Sequence, residues 1–148
     1  MNRDFSDMLC ALCAARVEFL IVGAYALAAH GLPRATGDLG IWVRPDPENA
    51  ERVLTALRAF GAPLFDLRVD DLLRDDTVFQ LGVPPARIDL MTGITGVTFD
   101  AAWRGRMETT VGGQVVPVIG LAELLQNKEA TGHPKDEADA VWLRSRMQ

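Results

Sequence analysis

The chain has 148 residues, 49% hydrophobic and 24% charged, with a net charge of −5. That length suits one ordinary domain over residues 1–148 with a core of its own, and the composition suits a soluble globular protein. The negative balance argues against broad binding along duplex DNA, which depends on neutralising phosphates, yet leaves room for one nucleotide or an RNA end on a local basic patch.

The longest apolar run, Phe19–Ala29, falls short of the roughly 18 residues that suggest a membrane span. Asp4 and Asp7 stand where a secretory signal would be basic, so the expected location is cytoplasmic, with no membrane partner. In chain order, residues 4–16 predict an amphipathic helix. Cys10 and Cys13 are spaced CxxC on it, with no second pair, and read as thiols on its apolar side. Phe19–Val22 predicts a strand, and Ala24–His30 a helix that Gly31 ends, with Pro33 just beyond. Gly23 between them lets the backbone turn sharply and lets a phosphate approach. Arg34 and Thr36 lie in the turn to a second strand, Asp38–Val43, in which Asp38, Gly40 and Trp42 share one face and Leu39, Ile41 and Val43 the other.

Asp46, Pro47 and Glu48 signal a helix start, and Val53, Leu54, Leu57 and Phe60 give the segment up to Gly61 helical spacing. Residues 69–74 predict a short helix and Val78–Leu81 a strand. The run 87–92 alternates, so that Arg87, Asp89 and Met91 share a face, and Asp89 is expected to meet Asp38 if the two strands are neighbours in register. A short helix over 99–107, a hairpin of Glu108–Val111 and Val115–Val118 around Gly112 and Gly113, and helices over 121–131 and 135–146 complete the chain.

Arginine occurs thirteen times and lysine twice, and both lysines, Lys128 and Lys135, fall in NKEATGHPKDEAD. A compact ammonium with rotating donors suits a triphosphate tail. Lys135 lies near a helix start, where a cation is unfavourable, so helix stability does not explain it. Composition alone leaves ordinary surface lysines equally open.

The sequences IVGAY at 21–25 and DLGIWV at 38–43 resemble the opening motif of the nucleotidyltransferase superfamily that includes DNA polymerase β, the MNT-type antitoxins and the AbiEii-type toxins. The motif is an apolar strand, a glycine turn, a helix and an Asp-x-Asp or Asp-x-Glu strand. Asp89 matches the later third carboxylate. Asn127, Lys128, Ala130, Gly132, Pro134, Lys135, Asp136 and Asp139 match a C-terminal pattern of AbiEii-type members, with His133 where those have arginine. The resemblance implies an α/β (α+β) fold, a small mixed sheet covered by helices. It implies transfer of a nucleoside monophosphate from an NTP to a protein, RNA or small-molecule acceptor, and it allows a cognate toxin or antitoxin as partner.

In that reading Asp38 and Asp89 hold Mg²⁺ or Mn²⁺ and, with Lys128 and Asp136, form the catalytic set. Gly23, Ala24, Arg34, Lys128 and Lys135 bind the nucleotide, and His30 and Arg44 are further candidates for its border. Gly40 stands where the superfamily has its second metal-binding carboxylate. That leaves three readings open: an enzyme with a reduced metal site, a nucleotide- or partner-binding module without turnover, or a chain carrying an inactivating change.

Overall fold

The computed structural model describes residues 1–148. Six strands form one mixed sheet: β1 (Phe19–Val22), β2 (Asp38–Val43), β3 (Val78–Leu81), β4 (Arg87–Met91), β5 (Met107–Val111) and β6 (Gln114–Val118). Their order is β3-β4-β2-β1-β6-β5, with β2–β4 and β1–β6 parallel and the other pairs antiparallel. The helices are α1 (Arg3–Ala14), α2 (Gly23–Ala29), α3 (Pro47–Phe60), α4 (Val69–Leu73), α5 (Phe99–Arg104), α6 (Leu121–Thr131) and α7 (Pro134–Arg146). This is the mixed α/β architecture expected, with helix and strand ends within a few residues of their expected positions. None of the helices is long and apolar enough to cross a membrane.

Local chemistry sets the element ends. Asn2 and Asp46 cap α1 and α3 by accepting hydrogen bonds from the Phe5 and Asn49 amides at 2.9 and 2.7 Å. Gly61 closes α3 in the left-handed region at φ 89°. Phe5, Met8, Leu9 and Leu12 of α1 and Val53, Leu54 and Leu57 of α3 are buried in one core cluster with β1, Leu39, Ile41 and Val43. Each such side chain contributes roughly 1.5–3 kcal/mol on burial. The buried Asn49 amide is satisfied by both backbone groups of Glu18 and by the Arg44 carbonyl, fastening α3 to the end of the β1–β2 pair.

Alternation along β2 holds, with one modification. Trp42 lies on the same strand face as Asp38 and Gly40 yet is only 1% exposed, because Phe99 of α5 meets it edge-on at 5.1 Å. Phe99 stacks on Trp103, and Arg44 lies 4.7 Å above the Phe99 ring. This apolar plug closes the Val43 end of the face, so only the Asp38–Gly40 end is open.

Candidate active site

The open end of β2 and β4 borders a cavity of about 350 Å³. Gly23, Ala24, Arg34, Asp38, Asp89, Lys128, Lys135 and Asp136, the complete set of expected site residues, line it, as does Gly40. Four segments far apart in sequence deliver them: the β1–α2 junction, the turn into β2, β4, and the α6–α7 corner.

Gly23 has φ +70°, and a Cβ there would meet nothing within 4 Å. Its requirement is therefore conformational, since the left-handed backbone is costly for any other residue. Thr36 fixes the start of β2 by accepting a hydrogen bond from the Asp38 amide through Oγ1 at 3.1 Å. The Arg87 amide donates to the Gly37 carbonyl at 3.1 Å, which sets the β2–β4 register.

That register differs from the expected one by one step along the face. Asp89 lies beside Gly40, whereas Asp38 lies beside Arg87. The two carboxylates are therefore diagonal neighbours, and a guanidinium joins them. Arg87 Nη2 donates to Asp38 Oδ2 at 2.8 Å and to Asp89 Oδ2 at 3.3 Å. Its Nε is 3.3 Å from Asp89 Oδ1, close enough for an ion pair but not aligned for a hydrogen bond. Asp38 Oδ1 and Asp89 Oδ1 thus remain buried without a hydrogen-bond donor.

Buried carboxylate oxygens without a hydrogen-bond donor fit a hard cation, and Mg²⁺ commonly takes only one or two protein carboxylates beside water and phosphate oxygens. Asp38 and Asp89 are thus suited to share one ion. No group of three or more Asp, Glu, His or Cys side chains is placed to hold a metal, so the donor set stops at two. At Gly40 an added Cβ would lie 3.2 Å from Val22 Cγ2 and 3.7 Å from Met91 Cε. The Val22 carbonyl oxygen is 3.4 Å away, so a side chain there would be crowded on the Val22 side while Gly40 still borders the cavity.

The opposite wall is a charge network. Arg34 grips the buried Asp139 with two hydrogen bonds, at 2.7 and 3.1 Å. Lys128 Nζ donates to Asp136 Oδ1 at 3.1 Å and lies 3.4 Å from Asp139 Oδ2. Thr131 Oγ1 donates to Asp136 Oδ2 at 2.6 Å across the corner that Gly132 makes at φ 70°. Burial alone would raise the Asp136 and Asp139 carboxyls. Hydrogen bonds and cations outweigh it, from Thr131 and Lys128 on Asp136 and from Arg34 and Lys128 on Asp139, so both are held below the usual range. The Asp139 bond holds Arg34 firmly protonated.

Arg34 and Lys128 therefore line the cavity with their charges already partnered, while Lys135, exposed on the first turn of α7, makes no ion pair. The other border candidates lie elsewhere. Arg44 is held by Glu18, Asp100 and the Phe99 ring at the plugged end. His30 Nε2 donates to the Ile119 carbonyl at 2.8 Å and ties α2 to the end of β6. Cys10 and Cys13 are free thiols on α1, with burial and then the neighbouring Cys10 pushing the Cys13 thiol up.

Asp139, Arg87 and Thr131 are participants that the residue patterns did not single out. Asp139 signalled itself only through the C-terminal resemblance, and Arg87 only through sharing the Asp89 face.

A mixed sheet with a glycine strand-to-helix turn, carboxylates on adjoining strands and cations from two C-terminal helices defines a nucleotidyltransferase-like fold. The crystal structure of a "putative nucleotidyltransferase" from Thermotoga maritima is similar to this chain, with a TM-score of 0.61 and 19% identity over 97% of this chain and 92% of that one. At that identity the likeness establishes the fold. No family model matches the chain, and no curated protein sequence does.

Proposed function

We propose that the cavity binds a nucleoside triphosphate with Mg²⁺ or Mn²⁺ and that the chain transfers the nucleoside monophosphate to an acceptor oxygen, expelling pyrophosphate. The observation that carries this reading is the convergence on one cavity of the unpaired Lys135 and two carboxylates that each keep a buried oxygen without a hydrogen-bond donor. Asp38 and Asp89 hold the divalent ion, whose chemistry is to neutralise charge on the reacting phosphate oxygens. Gly23 and Ala24 approach the phosphates through their backbone, free of side-chain bulk. Lys135 attracts the triphosphate tail. Lys128 lends its charge to the same wall from a position fixed by Asp136 and Asp139, and Arg34 is held beside it. The acceptor is a protein hydroxyl, an RNA end or a small molecule, and the resemblance allows a cognate toxin or antitoxin as partner.

A second reading, nucleotide or partner binding without turnover, draws on Gly40 and on the Arg87 bridge, which leave the carboxylate edge short of a ligand and already carrying a cation. Calorimetric titration of ATP, CTP, GTP and UTP with and without Mg²⁺ tests both. Metal-dependent binding of at least one NTP is expected, followed by transfer of an α-phosphate label to an acceptor. Binding without transfer to any of the three acceptor classes selects the second reading. No binding under any condition refutes both nucleotide readings and leaves partner capture.

A further inference from the structure

Arg87 is the one cation of the site that touches both candidate metal ligands. It comes from β4 itself, two residues before Asp89, and the strand's alternation places it on the same face. Its Nη2 is shared between Asp38 Oδ2 and Asp89 Oδ2, and its Nε faces Asp89 Oδ1. The side chain is about one-third exposed and Asp89 about one-sixth, so the interaction operates in a partly dried setting where charge counts for more than in bulk water.

We propose that Arg87 is a tethered counter-cation that competes with divalent metal for Asp38 and Asp89, making the site's affinity for free metal low and its loading dependent on nucleotide. The proposal deepens the nucleotidyltransferase reading in that it takes the same two carboxylates as metal ligands. Three features support it. The guanidinium already satisfies Asp38 Oδ2 and Asp89 Oδ2, so an ion approaching both residues meets a positive charge on the same edge. Two carboxylates with one guanidinium leave a single net negative charge, where a third carboxylate at position 40 would leave two. Finally, Arg87 Nε has no hydrogen-bond partner despite its burial. The guanidinium is therefore incompletely satisfied where it sits, which lowers the cost of its withdrawal when phosphate oxygens offer it new acceptors.

The test needs no turnover. Mn²⁺ is titrated calorimetrically into the nucleotide-free protein, wild type against Arg87→Gln and Arg87→Lys. Arg87→Gln removes the competing charge, and Arg87→Lys keeps it. Expected is Mn²⁺ binding about tenfold or more tighter in Arg87→Gln than in wild type, with Arg87→Lys close to wild type. Equal or weaker binding in Arg87→Gln overturns the proposal, as does a gain of the same size in Arg87→Lys.

Removing Arg87 leaves two neighbouring carboxylates unneutralised, so thermal melts with and without Mn²⁺ accompany the titration. Should Arg87→Gln be unfolded in metal-free buffer, restoration of a cooperative melt by Mn²⁺ supports the competition, and failure of Mn²⁺ to restore it overturns it. The underlying functional reading fails separately. Absence of NTP binding in wild type and variants alike, with the Mn²⁺ difference intact, rejects nucleotide transfer and leaves the Arg87 competition standing.

Discussion

Replacing Gly40 by aspartate tests whether the cavity edge is a metal site with one ligand missing. In the β2–β4 register position 40 lies beside Asp89, and it lies two residues along the strand from Asp38 on the same face. Without metal the change should cost stability for two reasons. The new Cβ is 3.2 Å from Val22 Cγ2 and 3.4 Å from the Val22 carbonyl oxygen, a crowding worth roughly 1 kcal/mol that a turn of the Val22 rotamer can relieve in part. A third carboxylate about 5 Å from its neighbour repels it by roughly 3 kcal/mol at an effective dielectric of 20, and Arg87 returns part of this. The expected net loss in metal-free buffer is about 2–3 kcal/mol, read from urea denaturation. With a divalent ion the same charge becomes a ligand, so Mg²⁺ or Mn²⁺ binding should tighten about 10- to 100-fold, and added metal should recover most of the lost stability. A variant that loses stability and gains no metal affinity would show that a carboxylate at 40 does not share an ion with Asp38 and Asp89.

Smaller perturbations at three positions separate the walls of the cavity. Lys135→Ala should leave the melting temperature within about a degree and weaken NTP binding roughly three- to tenfold, with a shallower salt dependence, because this ammonium is exposed and has no partner in the fold. Asp139→Ala should cost about 2–3 kcal/mol by denaturant titration, below the range for fully buried pairs since Arg34 is 30% exposed. The depressed Asp136 and Asp139 carboxyls also set an acid limit: the unfolded state takes up protons first, so their stabilisation is complete above about pH 4 to 5 and is lost as pH falls through the lower folded values. Asp139→Asn should therefore flatten the stability profile below pH 4. Gly23→Ala should lose about 1 kcal/mol from the left-handed backbone alone, because its methyl meets no neighbour, and a melt unchanged from wild type would contradict that account.

Much of the candidate site was legible because the residues that line one cavity coincide with folding signals. Gly23 follows an apolar run and precedes a helix. Asp38 and Asp89 each begin or interrupt an alternating strand on its polar face. The α6–α7 corner is written in Gly132 and Pro134. Pattern reading could not fix the relative register of β2 and β4. Alternation is a property of one strand, whereas the pairing of Asp38 with Arg87 depends on how Gly37 and the turn before β4 meet in space. It could not separate a cation that is free from one that is spent, either. Arg34, Lys128 and Lys135 look alike in sequence, and only the placement of Asp136 and Asp139 on α7 decides that the first two are partnered. The burial of Trp42 on the Asp38 face is invisible to pattern for a related reason: the plug that covers it comes from α5, more than fifty residues away.

The charge count of the assembled site argues for an order of binding. Arg34, Lys128 and Lys135 face Asp38, Asp89 and Asp136 around the cavity, and the partners Arg87 and Asp139 add one charge of each sign. The pocket is therefore close to neutral as folded. On the proposed function, a neutral pocket would hold a bare triphosphate poorly, since its single free ammonium would face several phosphate charges, and it would hold a bare divalent ion poorly while Arg87 sits on the carboxylates. A metal–nucleotide complex meets both needs at once. On the proposed function, Asp38 and Asp89 would hold its metal, Lys135 would meet its phosphates, and Arg87, released from the carboxylates, would find phosphate acceptors. The coupling is reciprocal, so Mg²⁺ should raise NTP affinity by the same factor that NTP raises Mg²⁺ affinity. Removing Arg87 should shrink that factor by strengthening metal binding in the absence of nucleotide. Paired titrations of wild type and Arg87→Gln measure this directly, and an unchanged coupling factor would mean that Arg87 stays in place when metal and nucleotide bind.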